Sequence, residues 1–310
     1  MLNINRVVNY RFSDDIFLNQ MTLADAKNHG FVILLDCSGS IQSMYKDMAE
    51  QVIVLVEFFR SIGVKYRVFG FGCEWFGTKY PQNVHPFNWG PYSSEIPKGI
   101  IEFLNDDMKK DVHAKACTIM HHRIGFQLGH TPTNTTVSQM EHIANNFFSK
   151  NQIQVKKMII VTDGQPTDSL ISGNKKTIVF DPQSRKMYKK EGFDYSTIDI
   201  QGAIFRDRYG IELISIALFP RFSDPYEFVG CHSTEDDKAT MRKYGYVKFE
   251  SPLGNHVFVA KSVSVDDDLS GMKVDNDMSI SKTTTAFVSK LNKMNKSKNF
   301  LNILANALSV

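Results

Sequence analysis

The sequence predicts a doubly wound α/β fold, with a mostly parallel sheet and helices on both of its faces. Three observations predict it. FVILLD (31–36), KKMIIVTDG (156–164) and IELISIALF (211–219) are nearly continuous apolar runs of strand length. Strands buried on both faces read this way, because neither side of the sheet meets water. Amphipathic helical segments separate them, and alternation of this kind builds parallel sheets covered on both sides.

The elements follow in order. Residues 1–29 are polar and aromatic without clear period and read as an arm laid over the domain. After FVILLD, the segment from Ser43 to Ser61 places Met44, Met48, Val52, Leu55, Val56 and Phe59 at helical spacing, and Gly63 is its stop signal. YRVFGFG (66–72) is a second strand. Residues 73–111 are rich in Gly, Pro, Asn and aromatics and read as a rim insertion. A helix is expected over 112–128, a Thr-rich loop over 130–136, and a helix over 137–149 before the strand that ends at Asp163. TIVFDPQSRKMY (177–188) reads as a hairpin, since Asp-Pro favours a turn between two short strands; the insertion is bounded at 175–190. A helix over 197–209, the strand 211–219 and a short helix over 235–245 complete the domain, which spans 30–261. Residues 262–285 turn to Ser, Asp, Lys and Thr and read as a linker. In 286–310, Phe287, Leu291, Met294, Leu301, Leu304 and Leu308 form one helical stripe, for docking on the domain or on a partner.

Bulk properties remove several function classes. The chain has 310 residues, 42% hydrophobic and 22% charged, an ordinary globular balance. A net charge of +3 is too small for a nucleic-acid footprint. No apolar run approaches the roughly 18 residues of a membrane span. Cys37, Cys73, Cys117 and Cys231 lie far apart, and MLNINRVVNYRFSDD has no basic region followed by an apolar one. These features point to free thiols in a reducing cytoplasm. There is no GxxxxGK[ST] loop, no HExxH and no GxSxG, so a Walker-type ATPase, a zinc peptidase of that class and a nucleophile-elbow hydrolase are not expected.

The chemistry-bearing motif is Asp36-Cys37-Ser38-Gly39-Ser40, between a buried strand and a helix. Alternate residues turn one carboxylate and two hydroxyls to one side, an all-oxygen set that suits a hard cation. The same residue types are also ordinary helix N-caps. LGHTPTNTT adds Thr131 on a second loop, and IIVTDGQPTD adds Asp163 at the end of a second buried strand. Asp168 reads as a helix cap or an outer acceptor near that site, and Asp14, Asp15 and Asp266 to Asp268 as solvated turns. His113, Cys117 and His121 recur every four residues, with His122 adjacent, which would present a zinc-binding face. One helix supplies too few directed ligands, so an ordinary helix is the expectation.

With these motifs in place, the chain resembles the von Willebrand factor A domain with its metal-ion-dependent adhesion site. Residue by residue, the resemblance carries the site onto Asp36, Ser38 and Ser40, onto Thr131, and onto Asp163. Within that family it is most similar to the T subunit of cobaltochelatase and to related proteins of large tailed bacteriophages. FSDDIF (12–17), KNHG (27–30), GVKYRVFGF (63–71) and FDPQSRKMY carry this, over most of residues 10–260. Such relatives often have a long upstream region, so this chain reads as a truncated or split version. His130 stands where the family has a small residue.

The resemblance implies a Mg²⁺ site, with Mn²⁺ or Ca²⁺ as alternatives, that binds a partner protein through a Glu or Asp carboxylate. It implies a non-catalytic adaptor for an AAA+ ATPase of the chelatase or MoxR class. The alternatives are a structural or assembly protein of a large particle such as a virion, and a subunit of a cobalt chelatase. No catalytic residue, nucleic acid or membrane is expected, and the location expected is the cytoplasm, the host's if a phage encodes the chain.

Overall fold

The computed structural model describes residues 29–75, 84–85, 99–163, 177–190, 196–219, 234–244, 246–251 and 253–261. The expected arm before His29, the linker, the C-terminal helix, and the turns at Asp14, Asp15, Asp168 and Asp266 to Asp268 lie outside the described residues.

Strand β1 (His29–Asp36) sits at the centre of the sheet. On one side it pairs in parallel with β2 (Lys65–Trp75), and on the other with β6 (Val155–Thr162). Beyond β6 lie β9 (Ile211–Phe219) and β11 (His256–Lys261), both parallel, and then β10 (Tyr246–Glu250), antiparallel at the edge. On the other edge, β4 (Gly99–Asn105) runs antiparallel to β2 and carries the two-residue β3 (Val84–His85). The short β5 (Phe126–Leu128) pairs with the end of β2. The order β10-β11-β9-β6-β1-β2-β4-β3 is therefore mostly parallel, with antiparallel margins.

Period-two alternation divides the core. Phe31, Ile33 and Leu35 face one way, into a cluster with Met48, Val52, Phe59 and Met120. These come from α1 (Tyr45–Ile62) and α2 (Lys110–His122). Val32 and Leu34 face the other way, against Val137, Met140, Phe148, Phe205 and Met241. Those lie on α3 (Thr133–Lys150), α4 (Ser196–Tyr209) and α5 (Glu235–Tyr244). Both faces of β1 are covered, which is why its sequence is an unbroken apolar run.

Local signals set the helix ends. A 3-10 turn (Ser40–Ser43) leads into α1, which stops at Gly63 with φ of 73°. There the Gly63 and Val64 amides bond the carbonyls of Arg60 and Phe59. The helix expected over 112–128 ends at His122, because Arg123 adopts φ of 54° and Gly125 a φ of 85°. The chain then enters β5. Helix α3 begins at Thr133 and takes part of the expected Thr-rich loop into its first turn. The segment read as a rim insertion contributes β3 and β4 to the sheet edge.

The hairpin β7 (Thr177–Asp181) and β8 (Lys186–Lys190) forms a separate two-stranded sheet. Asp181 anchors it, accepting from the amides of Gln183 and Ser184 within the turn and from the Arg208 guanidinium on α4. Arg208 also reaches Glu141 on α3 at 2.5 Å. No helix among the described residues is long and apolar enough to cross a membrane.

Candidate metal centre

The strand order reverses at β1: β2 lies on one side and β6 on the other. In open α/β sheets the carboxyl-end crevice beside such a reversal is where ligands bind. Asp36 ends β1, and Asp163 directly follows β6, so both carboxylates stand at that crevice.

The turn after β1 is held by its own backbone. The Cys37 amide donates to Phe71 O at 2.8 Å, the Gly129 amide to Cys37 O at 3.0 Å, and the Gly39 amide to Gly129 O at 2.8 Å. Residues 37–39 are thereby stitched between β2 and the strand-to-helix connection that carries Thr131. That connection lies so close to β2 that a Cβ on Gly72, which has φ of 76°, would stand 2.1 Å from His130 O. Only glycine fits there. Cys37 turns into the core, fully buried, and burial together with neighbouring Cys73 pushes its thiol well above the usual range. The His130 side chain is exposed, so a large residue is accommodated before Thr131.

Four of the five sequence-predicted residues form one hydrogen-bonded set. Asp36 Oδ1 accepts from the Ser38 amide at 2.8 Å, and Oδ2 from the Thr162 hydroxyl at 2.5 Å. Ser38 Oγ lies 2.9 Å from Ser40 Oγ, and the Ser40 hydroxyl donates to Asp163 Oδ1 at 2.8 Å. Thr131 is buried on the adjoining loop, two residues past Gly129, which bonds the turn. Asp36 and Ser38 are buried and Ser40 is exposed, so the site has a deep end and an open rim.

Sequence reasoning missed Thr162. Its neighbour in the VTDG run is the recognisable ligand type, and only the alternation of β6 would have placed its hydroxyl toward β1.

Two carboxylates close together and out of water resist ionisation. Burial pushes Asp36 up to about 6, against the pull of hydrogen bonds from Thr162 and Ser38, and the charge of Asp163 adds to the rise. Asp163 is also raised by burial, with the Ser40 hydrogen bond opposing it. A cation beside such a pair would favour its ionised form.

The oxygen spacing tests the fit. Octahedral Mg²⁺ with oxygens at roughly 2.0–2.1 Å puts adjacent ligands about 2.9 Å apart, whereas Ca²⁺ at roughly 2.3–2.6 Å spreads them to about 3.3–3.7 Å. The Ser38–Ser40 and Ser40–Asp163 separations of 2.9 and 2.8 Å match the smaller ion. They are ordinary hydrogen-bond lengths too, so hydroxyl rotation alone would convert one arrangement into the other. The donor set, oxygen throughout, suits a hard cation.

No protein-family model matches the chain, and no curated protein matches it. Among solved structures, the pilus adhesin SpaC of Lactobacillus rhamnosus GG in its open conformation is similar at 16% identity. The match covers 61% of this chain and 24% of that one, with a TM-score of 0.39. Proximal thread matrix protein 1 of the mussel byssus is similar at 18% identity, over 62% of this chain and 38% of that one, with a TM-score of 0.34. The human COPII-coat protein Sec24c is similar at 9% identity, over 80% of this chain and 32% of that one, with a TM-score of 0.37. The chain thus spans about a quarter to two fifths of the proteins it resembles. At these identities and scores the likenesses say nothing of the site.

Proposed function

We propose that this chain is a Mg²⁺-dependent protein-binding module in which Asp36, Ser38, Ser40, Thr131 and Asp163 hold the cation. The observation that carries this reading is the gathering of oxygen-bearing side chains from distant segments at the sheet's reversal point. A bound cation there supplies an electrophilic position for an outside oxygen. The chain's own residues do the rest. Thr162 and the Ser38 amide orient Asp36, and the Gly129 bonds fix the turn that presents Ser38 and Ser40. Only two of the five residues carry charge, so an ion held by them keeps an appetite for a third carboxylate. A Glu or Asp of a partner protein has the chemistry to supply it.

Among the described residues, the hydrogen bonds that join Asp36, Ser38, Ser40 and Asp163 involve oxygen-bearing side chains and one backbone amide. The binding reading rests on this all-oxygen set, which suits a hard cation. By the sequence resemblance, the partner is an AAA+ ATPase of the chelatase or MoxR class.

The test is a pull-down from native cells, with wild type and Asp36→Ala, in Mg²⁺ and in chelator. A partner lost in chelator and with the variant, and again lost when one of its own carboxylates becomes an amide, supports the reading. A change in that partner's ATPase rate identifies an adaptor, while incorporation at fixed stoichiometry into a particle identifies an assembly protein. The same partners in every lane refute a metal-dependent joint.

A further inference from the structure

A second cluster lies away from the crevice, at the seam between α1 and α2. His113 and Cys117 are one turn apart on α2, with Cys117 Sγ 3.5 Å from His113 Nδ1. Glu57 on α1 faces them, its Oε1 3.3 Å from the same nitrogen. One ligand atom from each of the three lies within 4.8 Å of the others. The remaining histidines of the helix take no part: His121 is engaged by buried Glu50 at 2.6 Å, and His122 stacks edge-on against His121.

We propose that Glu57, His113 and Cys117 form a metal site for a thiophilic divalent ion of the Zn²⁺ class, which clamps α2 to α1. The first argument is geometric. Tetrahedral Zn²⁺, at roughly 2.3 Å from sulfur and roughly 2.0–2.1 Å from nitrogen and oxygen, separates sulfur from nitrogen by about 3.5 Å and nitrogen from oxygen by about 3.3 Å. Those are the two separations found here. The second argument is a buried donor without an acceptor. Tyr66, fully buried in β2, feels the charges of both Cys117 and Glu57; the Arg60 guanidinium beside it can only donate, so its hydroxyl finds no acceptor among the described residues. Three protein ligands leave a fourth position, and a water held there would give that hydroxyl an acceptor.

Burial acts on the two ligand groups in opposite directions. Burial pushes the Cys117 thiol up to about 12, the Glu57 carboxylate adds to the rise, and Arg60 opposes it. Burial, with the nearby Arg60 charge adding to it, lowers His113 to about 4. Nδ1 can serve as the ligand in the neutral tautomer whose proton sits on Nε2. Binding would displace one proton from Cys117 to solvent, and thiolate plus carboxylate would balance the two charges of the ion. Arg60 is already turned to the Met108 carbonyl, at 3.2 Å from each of its terminal nitrogens. Sulfur and imidazole select against Mg²⁺, so this site and the oxygen site at the crevice would not compete for one ion.

The experiment uses the full chain, freed of metal by chelation and then titrated with Co²⁺ as a spectroscopic probe. The expected result is a thiolate-to-cobalt charge-transfer band that saturates at one ion per chain and vanishes when Zn²⁺ is added. Cys117→Ser, nearly isosteric, abolishes the band while circular dichroism shows the fold retained. Glu57→Gln, at a half-exposed position, weakens binding by at least about tenfold. Asp36→Ala leaves band and affinity unchanged. A chain that gives no band with equimolar Co²⁺, a band that survives Cys117→Ser, or a band that disappears in Asp36→Ala overturns the proposal.

Discussion

Gly72→Ala attacks the candidate metal centre through a single methyl group. At position 72 the new Cβ would stand 2.1 Å from His130 O, about an ångström inside the 3.0 Å that real Cβ atoms essentially never breach. The obstacle is backbone, so the connection carrying Thr131 must move by that amount or β2 must bend. The residue also keeps φ of 76°, which costs an L side chain about 1–2 kcal/mol. Gly210→Ala separates the two effects, because Gly210 has φ of 66° with nothing within 4 Å of its Cβ. Both variants should lose about 1–2 kcal/mol of stability from strain, and Gly72→Ala more. Mg²⁺ demands near-ideal octahedral geometry, so a shift of about 1 Å in the Thr131 loop should weaken the ion by tenfold or more, about 1.4 kcal/mol or above. The assay is thermal unfolding across a Mg²⁺ titration, with the ion's stabilisation read as the rise in Tm. Gly210→Ala should keep the whole Mg²⁺-dependent rise and Gly72→Ala should lose most of it. Equal Mg²⁺ responses in the two variants would refute the placement of Thr131 in the site.

Two further predictions concern the supports of the site and of the hairpin. Thr162→Val removes the 2.5 Å bond to Asp36 Oδ2 without changing side-chain shape, and should reduce Mg²⁺ affinity about 10-fold to 100-fold in calorimetric titration; unchanged affinity would show that Asp36 needs no such orientation. Arg208→Ala strands the buried Asp181 carboxylate and should lower unfolding free energy by about 3 kcal/mol, measured in urea. Its pH dependence has a definite sign. The Arg208 guanidinium, with the Ser184 and Gln183 amides, holds the Asp181 carboxyl well below the usual carboxylate range, against burial. The unfolded chain therefore takes up this proton first as pH falls, and the contribution is complete above about pH 4 and shrinks below it. The stability gap between wild type and Asp181→Asn should narrow as pH drops through that region; a gap constant from neutral to acid pH would contradict it.

The centre of the fold was legible because its strands are buried on both faces. FVILLD, KKMIIVT and IELISIALF are β1, β6 and β9, and their order around the reversal follows from the pairing. The margins were not legible. GIIEFLN forms β4 inside a Gly-rich and aromatic stretch, and YVKFE and HVFVAK pair as β10 and β11, which had no expectation attached. Each is short, and sheet membership there is decided by the neighbouring strand more than by local pattern. The end of α2 was missed because Arg123, not a glycine, takes the left-handed conformation.

Of the residues named from one turn and two loops, Asp36, Ser38, Ser40 and Asp163 are joined by hydrogen bonds, and Thr131 lies buried on the adjoining loop. Glu57 had no signal in sequence, since its link to His113 and Cys117 is made only when α1 packs on α2. The zinc face set aside for want of ligands on one helix returns as a proposal because Glu57 on α1 joins His113 and Cys117, while His121 is engaged by Glu50.

The central claim, that the crevice at the ends of β1 and β6 holds one hard cation, is tested most directly by calorimetric titration of the metal-freed chain with Mg²⁺. Wild type, Asp36→Ala and Ser40→Ala would be titrated side by side, with Cys117→Ser as the unrelated-site control. The account predicts a single Mg²⁺ bound by wild type and by Cys117→Ser, none by Asp36→Ala, and weakened binding by Ser40→Ala with the fold intact by circular dichroism. Binding that persists unchanged in Asp36→Ala, or no heat of binding in wild type at millimolar Mg²⁺, would contradict it.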